Sequence, residues 1–198
     1  MKRLEMIYEG KAKKVYKTDD EALYIVEYKD DATAFNGLKK GTITNKGIMN
    51  NRISEKLFSL LEEKGVDTHQ VERISDREVV VKKVKIIPLE VLVRNYAAGS
   101  LSKRLGLEEG VKLNSTVLEF SYKNDELGDP MVNDYHIKAI GIATEQEVAK
   151  ITEMALKINE ILSEYMLTKG ILLVDFKLEF GKTPDGKIIL ADEISPDT

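Results

Sequence analysis

Hydrophobic and polar positions divide the chain into a strand-rich first part and a second part in which strands and helices alternate. Short apolar or β-branched runs predict strands in the first part at residues 7–8, 15–16, 22–28, 71–74 and 79–87. Between them, Ile48, Ile53, Leu57 and Leu61 recur at helical spacing, which predicts a helix that ends at Lys64-Gly65.

After Pro88 the pattern predicts strands at residues 89–96, 171–180 and 187–194. A short helix is expected from Gly99-Ser100 through Arg104. A capping box of Thr144 and Glu147 begins a long helix whose apolar face reaches Tyr165. These elements predict an α+β protein. We place the boundary at Pro88, with a β-rich lobe at 1–87 and an α+β lobe at 88–198.

Composition narrows the class of protein. A chain of 198 residues fits one domain or two small lobes. It has no cysteine, so disulfides and thiolate metal sites are excluded. The net charge of −4 provides no basic field for nucleic acid. The apolar run at 171–174 is too short to cross a bilayer. We expect a cytoplasmic protein that binds neither nucleic acid nor membrane.

The last predicted hairpin contains the most informative candidate site. Side chains alternate between faces of a strand, so Phe176, Leu178 and Phe180 suit the core. The polar side chains on the other face are Asp175, Lys177 and Glu179. A two-residue turn at Asp185-Gly186 would place Glu179 opposite Asp192. Two carboxylates that close need a cation between them, and Mg²⁺ with nucleotide phosphates fits. The alternative is a solvated polar face, because a one-residue shift in register separates the pair.

A second candidate is the segment Gly10-Lys11-Ala12-Lys13. Gly10 permits close approach of backbone to a ligand, and Lys11 and Lys13 are expected on one strand face, where they could meet phosphates. The segment is not a P-loop. Its alternative role is to keep a strand edge soluble.

Arg94 and Ser100 flank the start of the predicted short helix, which suits a phosphate pocket but equally an ordinary helix cap. Asp129 lies in a turn-like loop, and Lys123 by itself suggests a surface lysine. His69 and His136 have no partner at ligand spacing, so neither a zinc site nor a general base is expected.

Six segments, in the same order as in the family, resemble the phosphoribosylaminoimidazole-succinocarboxamide synthase family: residues 8–13, 82–100, 102–106, 128–132, 174–181 and 192–197. The resemblance implies a two-lobed fold, with ATP between a small β-rich lobe and a larger α+β lobe, loosely like protein kinases and ATP-grasp enzymes. It implies that ATP activates the carboxylate of carboxyaminoimidazole ribonucleotide and that the amine of L-aspartate then displaces phosphate from an acyl phosphate.

The same resemblance assigns residue roles. It implies ATP contacts at Gly10, Lys11, Ala12, Lys13, Val15, Val81, Lys82, Val84, Ile86 and Lys123. It implies Mg²⁺ ligands at Glu179 and Asp192, and a ribonucleotide phosphate pocket at Arg94 and Ser100. Around the imidazole carboxylate and ribose it implies Asp129, Asp175 and Lys177, of which Asp175 and Lys177 are expected to be catalytic.

Two departures from the family leave alternatives open. Family members continue beyond Thr198 with an arginine and further helices, so a nucleotide-binding module without turnover is an alternative. Asn36 stands in a loop where some relatives have aspartate, which puts a metal role there in doubt. A kinase-like phosphotransferase is disfavoured, because neither a His-Arg-Asp nor an Asp-Phe-Gly signature occurs. The sequence leaves the oligomeric state open, with a homodimer as one option.

Overall fold

The computed structural model describes residues 1–34 and 39–198, so Asn36 lies outside the described residues. The chain forms two compact units. The first consists of Met1–Lys85 with Gly181–Asp197, and the second of Ile86–Phe180. The sequence-based division placed every residue after 87 in one lobe, whereas the compact units assign residues 181–197 to the first. Among the described residues, no helix combines the length and apolarity that crossing a membrane requires.

The first unit is built on an antiparallel sheet with the strand order β1-β2-β3-β7-β6. Its strands are β1 (Arg3–Glu9), β2 (Lys13–Thr18), β3 (Leu23–Tyr28), β6 (Gln70–Arg73) and β7 (Glu78–Lys82). A separate hairpin pairs β4 (Asp31–Ala34) with β5 (Lys39–Thr42), and helix α1 spans Lys46–Glu63.

Both faces of the central strands β3 and β7 are buried, which explains their continuous apolar runs. One face packs Val26, Tyr28, Val79 and Val81 together, and the other packs Tyr16, Ile25 and Val80. Helix α1 buries Leu57 and Leu61 as predicted. Towards its beginning, however, its buried side chains are polar: Asn50, Asn51 and Ser54. That polar stretch contacts the end of the chain, since Asn50 bonds Asp197 and Ser54 accepts from the backbone N of Ile194.

The second unit contains the sheet order β10-β9-β8-β11, and β12 is hydrogen-bonded to β11. The strands of this sheet are β8 (Lys85–Tyr96), β9 (Lys112–Tyr122), β10 (Met131–Val132), β11 (Asp175–Lys182) and β12 (Ile188–Ala191), and the residues of β12 belong to the first unit. The helices are α2 (Gly99–Leu105), α3 (Asp134–Ala139) and α4 (Glu145–Thr168), with a 3₁₀ turn at Asp125–Leu127.

Helix α4 begins as the capping box predicts: Thr144 and Glu147 satisfy each other's backbone donors. Its buried face includes one polar residue, Asn159, whose amide exchanges hydrogen bonds of 2.8 and 2.9 Å with the amide of Asn95 on β8. The pair satisfies two buried amides and fixes the helix against the strand. Asn95 neighbours Arg94, so the pair also anchors the strand that carries a candidate site residue.

Three predictions about elements were wrong. β9 was not predicted, because its residues 112–117 mix polar and apolar types without clear alternation. The strand expected from residue 171 begins at Asp175. Pro88, where we placed the boundary, lies inside β8 as its fourth residue. The carbonyl of Pro88 accepts from the N of Lys123, and proline is tolerated near the beginning of a strand.

The predicted turn of the last hairpin is also corrected. The N of Thr183 donates to the carbonyl of Lys187 at 2.9 Å, so the loop has three residues, 184–186, rather than two. Gly186 adopts φ 88°, the left-handed conformation that such loops need at this position. Asp192 lies beyond the last residue of β12, with φ 59°. The pairing argument that placed Glu179 opposite Asp192 therefore does not hold.

Candidate functional site

A carboxylate held by two lysines lies on the polar face of β11. Glu179 is 3% exposed, and its Oε1 accepts from Lys177 at 2.6 Å and from Lys123 at 2.7 Å. Lys177 also donates to Glu90 on β8 at 3.2 Å. We refer to Glu90, Lys123, Lys177 and Glu179 as the Glu179 cluster. The predicted alternation is confirmed, since Phe176, Leu178 and Phe180 are buried on the other face.

A second cluster surrounds the buried guanidinium of Arg94. Its Nη1 donates to Asp175 at 2.7 Å, its Nη2 to Ser100 at 3.0 Å and its Nε to Glu119 at 2.9 Å. Glu119 also bonds Arg104 of α2. The three predicted residues Arg94, Ser100 and Asp175 are thus brought together. Ser100 is not the helix cap, because the capping position is Ala98 and makes no side-chain cap bond.

Asp129 has a local structural role. Its carboxylate accepts from the backbone N of Asn124 at 2.8 Å, its own N donates to the carbonyl of Asn124, and its φ is 49°. These contacts close the loop around the 3₁₀ turn, which agrees with the turn interpretation of the sequence. The expected contact of Asp129 with substrate stays a prediction.

In the first unit, Lys13 is paired with Asp192 and lies 3.9 Å from Glu193. The ammonium is also 5.8 Å from the centre of the Tyr28 ring. Nε2 of the His69 ring is 3.0 Å from the backbone carbonyl oxygen of Asp192. These residues, Lys13, Tyr28, His69, Asp192 and Glu193, form the Lys13 cluster.

Burial and charge act in opposite directions on the titratable groups of this cluster. Burial alone would lower the pKa of Lys13, but Asp192 and Glu193 raise that pKa above its ordinary value. Burial raises the pKa of the Tyr28 hydroxyl. Burial lowers the pKa of His69 to about 4, so its ring is neutral at physiological pH.

The segment between β1 and β2 is a turn, with the N of Gly10 donating to the carbonyl of Lys13 at 2.8 Å. Lys11 is exposed in this turn and not in a strand, so the prediction that Lys11 and Lys13 share a strand face is wrong. The backbone around Ala12 is tied to β3, because the N of Lys29 donates to the carbonyl of Ala12 at 2.7 Å.

Four of the predicted nucleotide contacts belong to the first unit and lie in its strands or directly after them: Val15, Val81, Lys82 and Val84. Val15 packs against the core cluster that includes Val81. Lys82 donates through Nζ to the carbonyl of Thr68 at 3.0 Å. Val84 packs so closely on Gly181 that a Cβ there would lie 2.4 Å from Val84 Cγ2, which only glycine avoids. Ile86 and Lys123 belong to the second unit.

The residues that sequence reasoning missed, although they contact predicted ones, include His69, Glu90, Glu119 and Glu193. Glu193 had a signal, since it directly follows Asp192 and is 4% exposed. His69 had none, because the residue it bonds is 123 positions away. His136 is the third residue of α3 and forms a capping box with Asn133, which is the N-cap.

Carboxylates and lysines of this kind are the groups that bind a metal–nucleotide complex. Within the described residues there is no group of three or more His, Asp or Glu side chains that could hold a metal ion by themselves. A Mg²⁺ ion needs only one or two carboxylates when substrate phosphates supply further oxygens. The Glu179 cluster and the Lys13 cluster each offer such a carboxylate beside a lysine that can bind phosphate.

Comparison with known proteins decides the family. The family model of SAICAR synthetase matches residues 6–198. The chain belongs to the SAICAR synthetase family. It is 69% identical over 198 residues to the phosphoribosylaminoimidazole-succinocarboxamide synthase of Thermoanaerobacter sp. (strain X514), covering all of this chain and 84% of that protein.

Solved SAICAR synthetase structures confirm the fold. A SAICAR synthetase in complex with ADP is 54% identical and superimposes with a TM-score of 0.93, covering 97% of this chain and 81% of the other. The phosphoribosylaminoimidazole-succinocarboxamide synthase of Ehrlichia chaffeensis is 50% identical, with a TM-score of 0.94 over 97% of this chain and 82% of that one. The expected two-lobed α+β fold of the SAICAR synthetase family is therefore present.

Proposed function

We propose that this protein is an ATP-dependent ligase of purine biosynthesis that joins L-aspartate to the carboxylate of carboxyaminoimidazole ribonucleotide. The products are the succinocarboxamide, ADP and phosphate. The observation that carries the proposal is the 69% identity, along the whole chain, with a phosphoribosylaminoimidazole-succinocarboxamide synthase. The three clusters of charged residues support it, because each contains a lysine or arginine that can bind an anionic substrate and carboxylates that can bind a cation.

The nucleotide is assigned to the turn 10–13, to Val15, to the segment 81–86 and to Lys123. Support comes from the ADP complex of a relative that is 54% identical. Lys11 is exposed at the turn, where an ammonium can meet phosphate oxygens. Val15 packs against the apolar cluster that contains Val81, and an apolar surface of this kind suits a nucleotide base.

Mg²⁺ is assigned to Glu179 and Asp192. The donor chemistry fits, since both are carboxylates and Mg²⁺ prefers oxygen ligands. The formal charges also fit. Lys123 and Lys177 balance Glu90 and Glu179, and the Lys13 cluster has one formal positive charge against two negative. Neither cluster therefore attracts polyphosphate strongly without an added cation. When bound, Mg²⁺ would neutralise phosphate charge as phosphoryl transfer proceeds.

The ribonucleotide is assigned to the cluster around Arg94, with the phosphate at Arg94 and Ser100. Asp129 and Asp175 are proposed to bond the ribose and imidazole. The bond from Asp175 to Arg94 holds both side chains in one orientation, which limits the entropy lost on binding.

Lys177 is proposed to act on the reacting atoms. In the first step, an oxygen of the substrate carboxylate forms a bond to the terminal phosphorus of ATP, and the bond from that phosphorus to ADP breaks. In the second, the aspartate amine attacks the carbonyl carbon, phosphate leaves and the amine loses a proton. An ammonium fixed between Glu90 and Glu179 can stabilise the charge that grows on oxygen in both steps.

The test is ADP release measured with ATP and Mg²⁺, adding aspartate and carboxyaminoimidazole ribonucleotide singly and together. A ligase releases ADP at a substantial rate only when both are present. No turnover with both would leave a nucleotide-binding module, and turnover independent of aspartate would indicate a phosphotransferase. Either result would refute the ligase.

The same assay tests the metal assignment. Glu179→Gln and Asp192→Asn should each lower kcat by about 10²–10³-fold or more while circular dichroism shows a folded protein. The matched control is Glu153→Gln, which replaces an exposed carboxylate on α4 and should leave kcat unchanged. A near-normal rate in either site variant would contradict the assignment. The cytoplasmic location and the homodimer stay predictions.

A further inference from the structure

His69 is a buried histidine whose ring contacts the backbone of a candidate site residue. Its side chain is buried in the first unit, and Nε2 lies 3.0 Å from the backbone carbonyl oxygen of Asp192. A carbonyl oxygen can only accept a hydrogen bond, so Nε2 must carry the proton and donate. The neutral ring is then in the Nε2–H form.

The backbone at Asp192 departs from strand geometry. Its φ of 59° is left-handed, a conformation that costs a residue with a side chain roughly 1 kcal/mol or more. Asp192 is also the first residue after β12, so the ladder of that strand no longer holds it. A contact that fixes its carbonyl constrains the backbone from which the carboxylate projects towards Lys13.

The segment that carries His69 is itself firmly attached. The N of His69 donates to the carbonyl of Leu190 at 2.9 Å, and the N of Leu190 donates to the carbonyl of Asp67 at 3.0 Å. The carbonyl of His69 accepts from the N of Lys82 at 2.6 Å. The ring packs edge-on against Phe58, with centroids 5.7 Å apart. His69 thus joins β12, β7 and α1.

We propose that His69 is a positioning residue for the metal–nucleotide site, acting through the backbone of Asp192. The Nε2–H group holds the left-handed turn at Asp192, and that turn presents the carboxylate to Lys13 and to the metal ion. The inference rests on the proposed role of Asp192 as a Mg²⁺ ligand. His69 touches neither the nucleotide nor the reacting atoms in this assignment, so it is not catalytic.

The test compares His69→Leu with His69→Gln. The glutamine amide can place an N–H group near the position of Nε2, whereas leucine fills space without a donor. We expect His69→Leu to weaken the binding of ADP measured calorimetrically in the presence of Mg²⁺ by about 10-fold or more, as is typical when the support of a metal ligand is lost. His69→Gln should recover most of that affinity. Binding of ADP in EDTA should differ little between the variants.

Direct metal binding provides a second readout. Mn²⁺ is titrated into the protein with ADP, and electron paramagnetic resonance measures the free ion. The affinity for Mn²⁺ should decrease in the same order: wild type, then His69→Gln, then His69→Leu. Asp192→Asn is measured alongside. If Asp192→Asn binds Mn²⁺–ADP as well as wild type, the proposed metal site itself fails.

If Asp192→Asn weakens binding but His69→Leu does not, or if glutamine and leucine are equally weak, the positioning role is refuted. Should His69→Leu not fold, His69→Asn takes its place, because its shorter side chain retains polarity but falls short of the Asp192 carbonyl. Affinity equal to that of His69→Gln would then refute the proposal.

Discussion

At the residue scale, Asp30 shows how one carboxylate can join three segments of the first unit. Arg77 donates to both of its oxygens, at 2.6 and 2.8 Å, and the backbone N of Gly47 and Asn45 donate to it at the start of α1. Arg77 and these amide donors lower the pKa of Asp30 below its ordinary value. A carboxylate at a helix N-terminus is also stabilised by the helix dipole.

The lowered pKa predicts how stability depends on pH. Because the unfolded carboxyl binds a proton more readily than the folded one, Asp30 contributes stability above about pH 4, and that contribution is lost as the pH falls further. Asp30→Asn should therefore lower the free energy of unfolding at pH 7 and flatten its decrease between pH 4 and pH 2. Denaturant titrations at several pH values measure both effects.

Glu160→Gln, on the exposed face of α4, is the control and should follow the wild-type profile. An Asp30→Asn variant with an acid profile identical to that of wild type would contradict the role assigned to the ion pair with Arg77.

At the scale of elements, the side chains next to the first turn of a helix determine where the helix begins. Thr144 accepts from the N of Glu147 at 3.2 Å, and the Glu147 carboxylate accepts from the N of Thr144 at 2.8 Å. This capping box begins the helix that carries Asn159 against β8. The last hairpin gives the opposite case, since one additional loop residue changed the register inferred for β12.

Removal of the cap should have a modest, measurable cost. We expect Thr144→Ala to lower the free energy of unfolding by about 1 kcal/mol, because the backbone N–H of Glu147 loses the side-chain oxygen that accepts from it. Thr144→Ser retains the hydroxyl and should cost much less. Chemical denaturation of the three proteins measures the difference, and equal losses for alanine and serine would show that the methyl group, not the cap, matters.

At the scale of the whole molecule, ligand binding and stability are linked. A ligand that binds the folded chain at 100 times its Kd adds about 2.7 kcal/mol to the free energy of unfolding. For a chain of this length that corresponds to a rise in Tm of roughly 5–10 °C. Saturating ADP with Mg²⁺ should produce such a shift in a thermal melt.

The controls are ADP with EDTA, and the Asp192→Asn variant with ADP and Mg²⁺. Both should show a smaller shift, because the metal no longer bridges protein and phosphate. The absence of any shift with the wild-type chain would contradict nucleotide binding as proposed, independently of whether the chain turns over substrate.

Local signals in the sequence determined much of this protein. The apolar runs of β3 and β7, the alternation in residues 175–180 and the capping box at Thr144 each act over a few neighbouring residues, so they were predictable. The resemblance of six segments also indicated the family before the comparison with known proteins established it.

Only the tertiary structure decided the contacts between distant segments. The loop that sets the register after Thr183, the pairing of Lys13 with Asp192 and the bond from His69 to the Asp192 backbone depend on turn geometry or on residues more than 100 positions apart. Sequence periodicity describes which face a side chain occupies but not which remote group meets it. Residues that are adjacent in sequence specify the helices and strands, and packing in three dimensions specifies the environment of each charged residue.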